Sequence, residues 1–217
     1  MALFDSESFQ VMHNYDTVAW FYDRLSRLVF GHALINAQLY LLDAIPANAN
    51  ILIAGGGTGW ILEEITELHP SGLTITYIDA SAKMIALSRK RNVGSNKVVF
   101  IASTAEDAQT DGRFDIVLTP FLFDNLTEET ARSVFAGIDK LLIPHGKWLY
   151  ADYQDTGIFW QRVLLRAMYI FFGAFSGVKA KRLPDVETYF LRNKYMVTKQ
   201  KTFFKNFVVA KICEKGQ

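Results

Sequence analysis

The chain has 217 residues, 50% hydrophobic and 21% charged, which fits one globular domain and excludes a disordered or fibrous protein. Its single cysteine, Cys213, permits no intrachain disulfide, and His13, His32, His69 and His145 lack the spacing of a zinc site, so no metal is expected. Cysteine usage and the absence of an apolar leader in Met1 to Gln10 predict a cytoplasmic protein. The formal net charge of +1 conceals a division: residues 1–156 hold 11 Lys and Arg against 19 Asp and Glu, whereas residues 157–217 hold 12 against 3. The basic tail suits either an anionic surface or lysine-protected edge strands.

From Tyr15 to Ile45 apolar residues recur at helical spacing with a break near Gly31, predicting two helices that end before Pro46. Strands are expected at Ile51–Ala54, Thr74–Ile78, Lys97–Ala102, Ile116–Thr119 and Trp148–Tyr153. Between them helices are expected at Ile61–Leu68, Ala82–Arg91 and Glu128–Leu142, the last capped by Thr127, with Pro144 and Gly146 as punctuation. Strands alternating with helices imply parallel pairing through right-handed crossovers. Ile158–Phe175 reads as a helix, Asp185 as the cap of a short one, and Met196–Phe204 and Phe207–Ile212 as two strands turning tightly at Lys205-Asn206. The expected fold is α/β: a Rossmann-like, doubly wound, mostly parallel sheet of about seven strands with a C-terminal antiparallel hairpin and an N-terminal helical cap. The division is a helical cap (1–45), a cofactor-binding core (46–153), a second helical cap (154–193) and the hairpin (194–217), all in one domain.

The strongest chemical signal is Ile51-Leu52-Ile53-Ala54-Gly55-Gly56-Gly57-Thr58-Gly59, an apolar strand entering a glycine loop and then a helix. Glycine permits left-handed backbone angles and removes Cβ atoms from the path of a ligand, while the helix start offers unpaired N–H groups. Asp79 ends the second strand, where a carboxylate can accept both hydroxyls of a ribose. An adenosine cofactor follows. Nicotinamide sites prefer G-x-G-x-x-G; here the pattern is G-x-G-x-G and the sixth position is Trp60, which favours S-adenosylmethionine.

In this the sequence resembles the class I S-adenosylmethionine-dependent methyltransferases along almost its whole length. Ile51 to Gly59 looks like their first motif, Tyr77-Ile78-Asp79-Ala80-Ser81 their second, and Ser103-Thr104-Ala105-Glu106-Asp107 their adenine-side loop. Phe114 to Leu118 resembles the fourth-strand motif and Leu141 to Lys147 the turn before the fifth strand. The opening Tyr15-Asp16 to Tyr22-Asp23-Arg24-Leu25 is similar to the cofactor-covering helices of the ubiquinone/menaquinone-biosynthesis group. The resemblance implies cofactor contacts from Gly55, Gly56, Gly57, Thr58, Gly59, Asp79, Ala80, Thr104, Ala105, Glu106 and Thr119, with Tyr15 and Tyr22 as a lid. Two positions depart from the family: Ile53 stands where an acid usually helps hold the methionine amino group, and Thr104 where the adenine loop usually has a carboxylate.

Methyl transfer from a sulfonium depends mainly on alignment and exclusion of water. Asp124, after the fourth strand, and Asp152, ending the fifth, are the candidate catalytic carboxylates, with Tyr22 as a third candidate; each also has a packing or capping explanation. The bulky segment 157–182 is too short in uncharged residues to span a bilayer and either covers the active site or rests on lipid. A small hydrophobic or aromatic acceptor is the expected substrate, and no nucleic acid is expected because the tail's aromatics lie in apolar runs. The alternatives are a non-catalytic protein of the same fold and an NAD(P)-dependent oxidoreductase. The oligomeric state is left open by the sequence.

Overall fold

A computed structural model describes residues 29–108, 110, 112–176 and 179–216. Tyr15 and Tyr22, and most of the first expected helix, lie outside the described residues. The second expected helix is α1, Ala33–Leu42, and Gly31 before it has a φ of 57°.

Seven strands form one sheet: β1 (Asn50–Ala54), β2 (Ser71–Asp79), β3 (Ser95–Ala102), β4 (Phe114–Pro120), β5 (Leu142–Tyr153), β6 (Tyr195–Phe203) and β7 (Val208–Lys215). Their order is β3-β2-β1-β4-β5-β7-β6. The first five pair in parallel; β7 runs antiparallel to both β5 and β6. Because the chain winds outward from β1 in one direction and from β4 in the other, the carboxyl ends of these two strands border the crevice in which such sheets bind ligands.

Alternate strand residues feed two cores. Ile51, Ile53, Tyr77, Leu118 and Leu149 pack on the face covered by α1 and by α2 (Trp60–Leu68). Leu52, Ala54, Ile78, Val117 and Trp148 pack on the other, against α4 (Glu128–Leu141) and α6 (Val186–Arg192). Helix α4 buries Ala131, Val134, Phe135 and Ile138, a spacing that makes one stripe, and the Phe135 ring stacks on Trp148 at 4.6 Å. Its cap is the expected one: the Thr127 hydroxyl accepts from the Thr130 N–H. Asp185 likewise accepts from Thr188 N–H to start α6. Between β2 and β3, α3 covers Ala82–Ser88, ending three residues before the expected Arg91.

Two sequence expectations need revision. Pro144 and Gly146 do not separate α4 from the fifth strand; β5 begins at Leu142 and absorbs them in a bulge, its register with β4 passing from Phe114↔Leu142 to Ile116↔Lys147. The hairpin turn is wider than Lys205-Asn206, since Phe204, Lys205 and Asn206 all have positive φ before Phe207 N–H donates to Phe204 O at 3.0 Å. Edge strand β6 is largely exposed and carries Lys199 and Lys201, which accounts for part of the basic tail as protection against edge pairing.

Helix α5, Phe159–Ser176, lies beyond β5. Its buried Gln161 bonds to Thr156 and donates from Nε2 to Lys205 O at 2.9 Å, tying the helix start to the hairpin turn. Trp160 packs edge-on against Phe204 and Phe207 of that turn.

Candidate functional site

The glycine loop joins β1 to α2. Gly55, Gly57 and Gly59 have φ values of 74°, 64° and 77°, the left-handed region expected. Protein packing requires two of the glycines: a Cβ on Gly56 would enter the Tyr77 ring, and one on Gly59 would lie 2.7 Å from Ser88 Cα. Trp60, beside it, is half-buried against the core, so Gly59 provides the close approach of α2 to α3. Among the described residues a Cβ on Gly57 would meet nothing within 4 Å, so this is the loop's open side there.

Asp79 ends β2 against that loop. Its Oδ2 accepts from Gly57 N–H at 2.8 Å and its Oδ1 from Ser81 N–H at 2.9 Å. Tyr77, two residues earlier, donates to Gly57 O at 3.0 Å, so β2 holds the loop from beneath. Arg91 Nε donates to Thr58 O at 3.0 Å and its Nη1 pairs with Glu63. Ala80, at the turn beyond Asp79, and Ala105 are half-buried, and Glu106 is exposed. The Thr104 hydroxyl is engaged by its own loop: it donates to Asp107 Oδ2 at 2.8 Å and accepts from Asp107 N–H at 3.1 Å. A carboxylate thus stands beside Thr104 although the motif position itself lacks one. Ile53 is fully buried in the core, its backbone in register with Tyr77 and Leu118. Thr119, expected on the cofactor, turns its side chain into the core instead, where its hydroxyl accepts from Trp148 Nε1 at 2.9 Å.

The residues after β4 complete the crevice. A Cβ on Gly55 would sit 3.1 Å from Leu122 Cδ1, so the β4 loop packs directly on the glycine loop. That loop turns sharply at Phe121, which has a φ of 52° and donates its N–H to Ala151 O at 2.8 Å. A single 3-10 turn, Phe123–Asn125, follows. Asp152, near the end of β5, anchors it: Oδ2 accepts from Phe123 N–H at 3.1 Å and Asp124 N–H at 3.3 Å, while Oδ1 accepts from Tyr153 N–H at 2.8 Å. Asp124 Oδ1 accepts from Asn125 Nδ2 at 2.8 Å.

Both carboxyl groups are buried, and burial holds them above the usual carboxylate range; at Asp124 the neighbouring Asp152 adds to the rise. Three N–H donors to Asp152 offset part of that rise. The carboxylates' field reaches Tyr150 and Tyr169, whose phenols are pushed up by burial and then by the two carboxylates.

Tyr169 was not singled out by sequence; its only signal there was one hydroxyl amid a greasy run. It projects from α5 with its hydroxyl buried and without a hydrogen-bond partner among the described residues. On the sheet face covered by α1 and α2, Phe121, Phe30 and Phe207 meet the Tyr153 ring at 5.3, 5.4 and 5.2 Å. No metal-binding cluster of His, Cys, Asp and Glu occurs among the described residues.

The loop's open side and the strand-end carboxylate fit an adenosine cofactor, and comparison with known proteins agrees. Residues 51–146 match the methyltransferase domain family. An uncharacterised methyltransferase of Synechocystis sp. is 28% identical over 139 residues, 63% of this chain and 59% of that protein, so the chain matches less than two thirds of that relative. The ubiquinone/menaquinone biosynthesis C-methyltransferase of Geotalea daltonii is 25% identical over 192 residues, 81% of this chain and 79% of the relative. The structure of the Burkholderia thailandensis 1,6-didemethyltoxoflavin-N1-methyltransferase, with bound 1,6-didemethyltoxoflavin and S-adenosylhomocysteine, aligns with a TM-score of 0.64 at 16% identity, over 100% of this chain and 93% of that one. These matches favour neither an oxidoreductase nor a protein that has lost its chemistry. Residues 51–146 thus match a methyltransferase domain, and the sheet order sets that match in a fold shared with solved methyltransferases that bind S-adenosylhomocysteine.

Proposed function

We propose that the protein methylates a small, hydrophobic or aromatic acceptor that must lose a proton, and that the buried Asp124–Asp152 pair receives that proton. The observation that supports this reading is the seating of Leu122 on Gly55, since Leu122 leads directly into the turn that carries Asp124. S-adenosylmethionine, when bound, supplies an electrophilic methyl group on a sulfonium. Gly57, Asp79 and the adenine-side loop hold it, with Asp107 supplying the carboxylate that Thr104 lacks.

On the acceptor side, this chain's residues would align the acceptor atom with that methyl group and exclude water. The acceptor's proton passes to the carboxylate pair. Tyr169, whose hydroxyl has no partner among the described residues, orients a polar edge of the acceptor, and the Phe121 and Tyr153 rings exclude water. The similarity to a quinone-pathway relative supports quinols and phenols as the first acceptors to try.

The experiment is a methyl-transfer assay against quinols and phenols with wild type and Asp124→Asn, alongside calorimetric titration of S-adenosylhomocysteine. Loss of turnover with retained product affinity supports the reading. Undiminished turnover in the variant removes the carboxylate pair from it.

A further inference from the structure

Helix α5 has two unlike faces. Gln161, Leu164, Leu165, Met168 and Tyr169 turn inward, while Phe159, Val163 and Ile170 are 80%, 49% and 74% exposed. At positions i, i+4 and i+11 these three make one stripe along the outer face. Arg162 and Arg166 lie on the same face, and Trp160 and Ile158, 37% and 41% exposed, extend the apolar surface at its start.

Charge around the stripe has one sign. From 157 to 184 the chain carries Arg162, Arg166, Lys179, Lys181 and Arg182 and no Asp or Glu. Lys205, in the neighbouring hairpin turn, places Nζ 5.8 Å from the centre of the Trp160 ring. The nearest opposing group is Asp155, paired with Arg162 Nε at 3.2 Å across an exposed surface. Edge-strand protection explains Lys199 and Lys201 on β6 but not these cations, which belong to a helix and the loop after it.

We infer that the outer face of α5 docks on an anionic lipid bilayer, with the helix lying in the plane of the interface. A stripe of large apolar side chains bordered by arginines is the pattern of an interfacial helix: the rings and branched chains enter the acyl boundary while arginines reach the headgroups. No described helix is long and apolar enough to cross a membrane, so contact is from one side. A protein partner would need a matching line of carboxylates along an apolar ridge, whereas anionic headgroups supply that charge at any orientation. This inference does not depend on the identity of the methyl acceptor. It does give the inner face a consequence, because Tyr169 and the carboxylate pair lie under a helix whose other side rests on the lipid.

The test is co-sedimentation of the full chain with phosphatidylcholine vesicles, with and without phosphatidylglycerol. Binding is expected only to the phosphatidylglycerol vesicles and is expected to weaken as salt is raised. Arg162→Gln with Arg166→Gln should weaken it about 30-fold, each cation near a charged surface contributing about fivefold. Phe159→Ser with Ile170→Ser should weaken it at least about tenfold through lost apolar insertion. All four side chains are exposed, so unfolding temperatures should match wild type. Absence of binding, equal binding to neutral vesicles, or unaltered binding by Phe159→Ser/Ile170→Ser would each overturn the inference. So would a dimer in sedimentation that this second variant dissolves, since the face would then belong to another copy of the chain.

Discussion

Asp152 Oδ2 accepts a hydrogen bond from the backbone N–H of Asp124 at 3.3 Å, so one carboxylate fixes the position of the next. Burial raises the pKa of both groups, and Asp152 adds to the rise at Asp124. The arrangement serves the fold by anchoring the turn Phe123–Asn125 and leaves Asp124 facing the crevice corner with its acidity altered.

Stability and activity should therefore respond to pH in opposite directions. Burial raises the folded-state pKa of both groups above the unfolded value, so between the two the native state binds more protons and stability falls as pH rises. Melting temperature should be higher at about pH 5 than at about pH 8, while turnover, which needs the anion, should fall on acidification. Asp124→Asn should flatten the stability profile and stabilise the protein at about pH 8 by about 1 kcal/mol or more, the worth of roughly one pKa unit. A variant whose melting temperature keeps the wild-type pH slope would show that Asp124 is not the titrating group.

Tyr169→Phe removes a buried hydroxyl that has no partner among the described residues. Stability should be unchanged or raised by up to about 1 kcal/mol, because nothing is left unpaired. kcat/KM should nevertheless fall about tenfold, the effect of losing one orienting hydrogen bond. Steady-state kinetics beside thermal unfolding separates the two effects; full activity would return Tyr169 to a packing role.

Asp79→Ala should weaken S-adenosylmethionine binding by about 1 to 3 kcal/mol, the scale for hydrogen bonds to a charged group. The substitution also frees the Gly57 and Ser81 N–H groups, so Asp79→Asn, which keeps an acceptor oxygen, should lose less. Calorimetric affinities for both variants decide the matter, and an undiminished Asp79→Ala affinity would exclude the ribose contact.

The loop glycines should divide by consequence. Gly57→Ala meets no neighbour among the described residues, so its fold cost is the left-handed strain of about 1 to 2 kcal/mol, and its main loss should be cofactor affinity. Gly59→Ala meets the Ser88 backbone as well and should lower the melting temperature far more. Comparable melting temperatures for the two would contradict the packing assigned to Gly59.

Much of this was legible in the sequence because local chemistry and tertiary demand coincide. An apolar run entering glycines can form only a buried strand and a sharp turn, and Thr127 and Asp185 cap helices with their own side chains. What escaped depends on partners distant in sequence. Pro144 and Gly146 break regular structure locally, yet pairing with β4 draws them into a strand. Thr119 sits at a strand end suited to ligand contact, but the Trp148 indole claims its hydroxyl. Tyr169 gains meaning only from two carboxylates on other elements, and no periodicity encodes that.

The side chain of Ile53 is sealed inside the core, at a level of β1 flanked by Tyr77 and Leu118. Placing an acid at this position would bury an ion with no partner prepared for it, at a cost of several kcal/mol. A carboxylate here therefore demands a polar channel through the surrounding residues, and a single exchange does not supply one.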